Sequence, residues 1–284
     1  MNPLLPIKIT KMSGAGNTFA LIDARDSTGW AMVEKTLNMS RPDFARLVCD
    51  KVLGVATDGF LLIENGDQGF DFNWDFYNND GSTAEMCGNA ARCAARFCYE
   101  KLSPEHANIR FKTGAGLVTA QVLGDGRIRV KMPEAKFVNP KISLLTHFGS
   151  SEVFALVNTG VPHLVQKLIT MDDAANMKDL ARECRSHKDL GAAGANVTYY
   201  AIESENKIRA VTFERGVEDY TLACGTGAVA AAMVYAKEKN LSRVEVQMPG
   251  GAMEVQFIEG DPCPLMTGGA VFVGEFQYNL EVVK

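Results

Sequence analysis

Two alanine-rich segments, EMCGNAARCAARFCY at 85–99 and LACGTGAVAAAMVY at 222–235, share one pattern, and that repetition constrains the fold more than any other feature. Each reads as a Cys-Gly turn that opens a helix. Cys87 and Cys224 lie 137 residues apart in a chain of 284, close to half its length. Their flanks agree as well. Upstream of each cysteine runs an apolar strand with a polar turn, FDFNWDFYNNDGS at 70–82 and IRAVTFERGVEDY at 208–220. Further back lie DGFLLIE at 58–64 and NVTYYAIE at 196–203. Downstream come glycine-rich turns, TGAG at 113–116 and PGGA at 249–252, each followed by a strand. Even the starts of the halves overlay, SGAGNTFALID at 13–23 on TGVPHLVQKLI at 159–169.

A whole domain is therefore duplicated. The expected fold class is α/β in the α+β sense: two pseudo-symmetric domains, each a mostly antiparallel sheet wrapped around a central helix, with the active site in the cleft between them. Small residues on most sides of the two Cys helices allow close packing all round, which is why they are expected at the centre. The N-terminal half is expected over 1–133, completed by the strand-like 270–284, and the C-terminal half over 134–269. Segments 43–52 and 171–187 read as amphipathic surface helices, one in each half.

Composition narrows the function. A net charge of −5 gives no basic face for nucleic acid or an anionic membrane. No stretch approaches the roughly 18 to 20 apolar residues of a membrane span, and the first residues do not read as a signal peptide, so a cytoplasmic protein acting on a small molecule is expected. The seven cysteines lack CxxC spacing, which points to reduced thiols and no metal knuckle. The isolated SGAGNTF is a poor dinucleotide loop, because Phe19 stands where the third glycine belongs.

A cysteine at the start of a helix has chemical consequences. The first turn presents unpaired N–H groups and the positive end of the macrodipole, which stabilise an anion. A thiolate there is expected to be a usable base, and the amides of Gly88-Asn89 and Gly225-Thr226 can receive a carboxylate. If the halves face each other, the two thiols stand on opposite sides of one carbon. One removes a proton as thiolate while the other delivers a proton as thiol, which inverts the centre. Cys49, Cys93, Cys98, Cys184 and Cys263 have no match in the other half and read as core or surface thiols.

The segments KMSGAGNTFALID, YNNDGSTAEMCGNAARCAARF, GVPHLV, GANVTYY, FERGVEDYTLACGTGA and MPGG together make the chain resemble the diaminopimelate epimerase family along essentially its full length. The resemblance implies interconversion of L,L- and meso-diaminopimelate for lysine and peptidoglycan precursors, without pyridoxal phosphate or metal, in a homodimer. It implies Cys87 and Cys224 as the acid/base pair, and Asn17, Gly88, Asn89, Gly225 and Thr226 around the α-carboxylate. Asn78, Asn196 and Arg215 match contacts to the distal end of the substrate, while His163 and Glu214 match polar residues beside the reacting centre. The chain departs from the family pattern at Val161, Gly59 and Thr18, where the family usually has Asn, Gln and Asp. These positions leave open a two-cysteine racemase of another amino acid, such as histidine, glutamate or lysine.

Overall fold

The computed structural model describes residues 6–279 apart from 68, 84, 85, 103–105 and 148, so the last five residues of the expected closing segment lie outside the described residues. The chain divides into two compact units, Met1–Val130 with Gly269–Lys284, and Lys131–Gly268.

In the first unit, strands β1 (Ile7–Gly14) and β2 (Asn17–Asp23) are followed by helices α1 (Ser27–Leu37) and α2 (Arg41–Cys49). Strands β3 (Gly59–Asn65) and β4 (Phe72–Asn78) lead to the central helix α3 (Gly88–Phe97), and β5 (Asn108–Thr113), β6 (Gly116–Val122) and β7 (Ile128–Lys131) follow. The second unit contains β8 (Lys136–Leu145), β9 (Ser151–Asn158), β10 (Pro162–Lys167), α4 (Asp173–Asn176), α5 (Lys178–Arg185), β11 (Asn196–Ser204), β12 (Lys207–Glu214), the short β13 (Asp219–Tyr220), the central helix α6 (Gly225–Lys239), β14 (Arg243–Met248), β15 (Gly251–Gln256) and β16 (Leu265–Gly268). The last strand, β17 (Val271–Tyr278), belongs to the first unit.

The strands of the two units repeat one topology. Along the first, β17–β1 and β1–β2 are antiparallel, β2–β3 parallel, β3–β4 antiparallel, β4–β5 parallel, and β5–β6 and β6–β7 antiparallel. Along the second, β8, β9, β10, β11, β12, β14, β15 and β16 repeat that succession. Each parallel pair needs a crossover, and α1–α2, α3, α4–α5 and α6 provide the four crossovers. Strand β17 occupies in the first unit the place that β8 has in the second.

Ala90, Ala91, Ala94 and Ala95 of α3 and Ala228, Ala230, Ala231 and Ala232 of α6 are fully buried, because only small side chains let strands approach a helix from several directions. The outer helices cover the other sheet faces. Trp30, Val33 and Leu37 of α1 and Phe44, Ala45 and Val48 of α2 pack with Phe60, Leu62 and Tyr77. Ala181 and Cys184 of α5 pack with Val197, Tyr199 and Phe213. The helix expected over 171–187 is broken at Met177, which caps both α4 and α5, and the 43–52 helix lies over Arg41–Cys49. Ser40 caps α2 by accepting from the Asp43 amide at 3.2 Å. Helix α1 was not foreseen, although Trp30, Val33 and Leu37 carry the i, i+3, i+7 spacing that signals it.

Candidate active site

Each half holds its own cluster, built where the central helix begins. In the first unit Cys87 caps α3 in extended conformation, with φ −138° and ψ 117°, and its carbonyl accepts from the Ala91 amide at 2.8 Å. Gly88 and Asn89 form the first turn, so their amides belong to the positive helix end. Asn17 opens β2 and donates to Asp58 Oδ2 at 3.1 Å, while the same oxygen accepts from the Thr18 amide and hydroxyl at 2.7 and 2.9 Å. A Cβ on Gly14, the hairpin partner of Asn17, would come within 2.8 Å of the Asn89 carbonyl oxygen. Glycine at 14 thus lets the β1–β2 turn rest on the first turn of α3, with Asn17 across the hairpin from it. Asn78 ends β4 at the same sheet end, paired with Gly59, and donates to Ser82 Oγ at 3.0 Å.

Arg92 also belongs to this cluster. It is fully buried, donates from Nη2 to Asn89 Oδ1 at 2.8 Å and from Nη1 to the Gly88 carbonyl at 3.3 Å, and reaches the Gly269 carbonyl from Nε at 3.2 Å. No ion pair of Arg92 with a carboxylate is seen among the described residues. Burial holds its pKa below the ordinary arginine value, and the Cys93 and Cys87 sulfurs oppose that shift.

In the second unit Cys224 caps α6 with φ −123° and ψ 108°, and its carbonyl accepts from the Ala228 amide at 2.9 Å. The parallel register of β10 and β11 sets His163 beside Asn196, and the antiparallel register of β11 and β12 sets Thr198 opposite Thr212. His163 is fully buried; Nε2 lies 3.0 Å from Thr226 Oγ1, and Nδ1 lies 2.9 Å from Thr198 Oγ1. Thr226 Oγ1 in turn lies 3.4 Å from Cys224 Sγ. Asn196 Oδ1 accepts from the Arg215 amide at 2.8 Å, and the Arg215 guanidinium donates to the Ala193 carbonyl at 3.0 Å. Glu214 accepts from the Thr221 hydroxyl. The second unit therefore gathers Cys224, Gly225, Thr226, His163, Asn196, Glu214 and Arg215 around the start of α6; the first gathers Cys87, Gly88, Asn89, Asn17 and Asn78 around the start of α3.

The acidity expected of a helix-start cysteine is corrected at Cys224. Burial pushes this thiol up, the Glu214 carboxylate adds to the effect, and the Thr226 hydroxyl and Gly227 amide only partly oppose it. The residue is 7% exposed and shares its surroundings with the Glu214 carboxylate. Burial likewise raises Glu214 and lowers His163 to about 3, so the imidazole is neutral. Cys93, Cys98 and Cys184 are pushed by burial up to about 12 and Cys49 up to about 11, as befits packed thiols.

Four partners escaped the sequence reading: Asp58 under Asn17, Arg92 under Gly88 and Asn89, Thr198 beside His163, and Thr221 on Glu214. Only Arg92 gave a signal, as a charged residue inside an otherwise alanine-lined buried helix. The departure at Gly59 has a packing cause. A Cβ there would meet Phe76 Cε2 at 2.8 Å and Phe19 Cδ1 at 3.1 Å, so that space is filled by an edge-on aromatic pair. Among the described residues no group of three or more His, Cys, Asp or Glu side chains could hold a metal ion.

In fold the chain is similar to a probable proline racemase from Agrobacterium radiobacter K84, with TM-score 0.70 at 16% identity over 97% of this chain and 93% of that one. It is also similar to a phenazine biosynthesis protein of the PhzF family from Bacillus anthracis, with TM-score 0.68 at 16% identity over 95% and 98% of the two chains. Its sequence makes it an isomerase of the epimerase class. The family model for diaminopimelate epimerase matches residues 9–138 and 155–273, and the chain belongs to that family. It is 38% identical to a diaminopimelate epimerase of Aquifex aeolicus over 96% of this chain and 98% of that protein. It is 33% identical to one from Campylobacter jejuni over 96% and 99%, and 32% identical to a chloroplastic one from Oryza sativa over 94% and 79%.

Proposed function

We infer that this enzyme interconverts L,L- and meso-diaminopimelate by paired thiol chemistry and thereby serves lysine and peptidoglycan precursor synthesis. The observation that carries the reading is the recurrence of a cysteine as the cap residue of the central helix in two units of identical topology, within a chain of this family. In this mechanism one sulfur, as thiolate, takes the α-proton, and the C–H electron pair remains on the substrate as a carboxylate-stabilised carbanion. The other sulfur, as thiol, gives its proton to the opposite face and becomes the thiolate. Substrate and product differ only in configuration, and the enzyme finishes with its two protonation states exchanged, ready for the reverse reaction.

The burial of Cys224 beside Glu214 supports its role as the resting acid, which leaves Cys87 as the resting base. The first-turn helix amides of Gly88, Asn89, Gly225 and Thr226 would take the α-carboxylate and stabilise the charge that develops next to it. Asn17 would join them at the α-carboxylate. Arg215, with a planar fork suited to a carboxylate, would serve the distal end of the substrate with Asn78 and Asn196. Family membership further supports a homodimer working in the cytoplasm, and the net charge of −5 argues against nucleic acid as a partner.

The test is isotope wash-in. Purified enzyme in D₂O with reductant and no added cofactor should introduce solvent deuterium at the α-carbon of L,L-diaminopimelate while the meso form accumulates. Washing of deuterium into histidine, glutamate or lysine, with diaminopimelate left unlabelled, would refute the substrate assignment.

A further inference from the structure

The turn that carries Arg215 is gripped by helix α5. Between β12 and β13 the Glu218 amide donates to the Glu214 carbonyl at 2.8 Å and closes the turn. Gly216 has φ +89° and Glu218 φ +58°. That left-handed region suits glycine, whereas a glutamate in it is strained and persists only where its surroundings hold it. Its own carboxylate does the holding. One oxygen accepts from the Gly216 amide at 3.1 Å, the residue next to Arg215, and the other forms an ion pair with Arg185 Nε at 3.0 Å. The adjacent Asp219 pairs with Lys178 at 2.7 Å. Lys178 and Arg185 are the first and last residues of α5, two turns apart on one face, so the helix meets the turn at two points.

Arg185 also acts on the other side of Arg215. Its carbonyl accepts from the Ala195 amide at 2.9 Å, and a Cβ on Gly194, at φ +63°, would lie 2.2 Å from that oxygen. The loop over 191–195 is thereby laid against the end of α5, and its Ala193 carbonyl accepts from the Arg215 guanidinium at 3.0 Å. One residue, through its side chain and its carbonyl, thus fixes both segments that hold Arg215. The paired side chains of Arg185 and Glu218 are 20% and 41% exposed, and an ion pair so wet contributes little stability. Stability therefore does not account for a strained glutamate at this position.

We propose that Arg185 and Glu218 are positioning residues that hold the Arg215 guanidinium in place for the distal carboxylate of the substrate. They thereby set the preference for an amino acid with a second carboxylate, and the inference rests on the role given to Arg215 above. A guanidinium takes a carboxylate best through two parallel hydrogen bonds, which demand one orientation of the planar fork. A long side chain on an unclamped surface turn spreads over many rotamers, and binding then has to overcome that freedom. The distal carboxylate is remote from the reacting carbon. Loosening Arg215 should therefore weaken binding and leave the chemical step as it is.

Glu218→Gly is the decisive variant, because glycine accepts this φ without strain and only the carboxylate is lost. With L,L-diaminopimelate its KM should rise about tenfold while kcat stays within about twofold of native. Arg185→Met should raise KM to the same extent, and Arg185→Lys, which keeps a cation for Glu218, should restore it. In an Arg215→Met background Glu218→Gly should change KM by less than about twofold, since it acts through the guanidinium already removed. A native KM in both Glu218→Gly and Arg185→Met, or the same rise on top of Arg215→Met, would overturn the proposal. The ¹H–¹⁵N signal of Arg215 Nε in the ligand-free enzyme, assigned by difference with Arg215→Met, needs no turnover. Its heteronuclear NOE should report an ordered side chain in the native protein and a mobile one in Glu218→Gly; equal order in the two would also overturn the proposal. Loss of that order in an enzyme that turns over some other amino acid would leave the clamp standing and refute the substrate assignment instead.

Discussion

The two half-sites share a frame and differ in charge. Both place a cysteine at the cap of an alanine-lined helix after an identical succession of strand pairings. Beside Cys87, however, is a buried cation, Arg92, held by Gly88 and Asn89, whereas beside Cys224 are a half-buried carboxylate, Glu214, and a neutral imidazole, His163. Cys87 is half-buried and Cys224 is buried. Two-base inversion needs one thiolate and one thiol at a time, and two halves with equal surroundings would not decide which is which. Duplication supplied the matched geometry, and divergence of a few buried residues supplied the asymmetry.

The most severe way to break this comparison is to remove either sulfur. Cys87→Ser and Cys224→Ser should each lower epimerisation by about a thousandfold or more, the scale of a lost general acid or base, measured by conversion of L,L to meso substrate. If one serine variant keeps near-native turnover, the halves are not a working pair. Arg92→Met comes next. It removes the donors that hold the Gly88 carbonyl and the Asn89 side chain, and a misplaced first turn of α3 should reduce turnover by about a hundredfold. Native turnover in a folded Arg92→Met protein would mean that the cation has no part in the first half-site.

Much of the frame could be read from the chain, because it depends on patterns that local physics imposes: alanine runs, period-two strands and Cys-Gly helix starts. The parts that stayed hidden depend on register. Nothing in the string NVTYYAIE distinguishes Thr198 from any other strand threonine; it becomes a partner of His163 because β10 and β11 run parallel with His163 level with Asn196, two residues away on the same face. The acidity of Cys224 was misjudged for a similar reason. A helix end is visible in sequence, but the burial of this thiol and the Glu214 carboxylate beside it, which both push it up, depend on the fold. Helix α1 was missed although its spacing was on display, and the break at Met177 follows no proline or glycine that could have announced it.

A gentler substitution tests the sign of the charge at the second half-site. Glu214→Gln keeps a hydrogen-bonding side chain near Thr221 and removes the anion that helps to push Cys224 up. The pH at which Cys224 becomes alkylated, followed peptide by peptide with mass spectrometry, should fall, with a rate gain of about tenfold near neutral pH for each unit moved. In the native enzyme Cys87, the more exposed sulfur, should be modified before Cys224. Reversal of that order would show that the asymmetry runs the other way.

The smallest effect concerns stability and separates the halves by their titration. His163 falls from an ordinary value of 6.5 to about 3 on burial, and no histidine was assigned to the first half-site. Between those values the unfolded chain binds a proton at this residue that the folded chain refuses, so the native state loses stability as pH falls through 6.5 and keeps losing it toward 3. The slope from this one group approaches about 1.4 kcal/mol per pH unit. His163→Gln removes the group from the balance. Its urea midpoint should therefore be lower than native at pH 7, because the bonds to Thr198 and Thr226 are disturbed, yet decline less steeply toward pH 4. Parallel declines for the two proteins would mean that His163 takes up a proton in the folded state, and the neutral imidazole beside Thr226 would have to be abandoned.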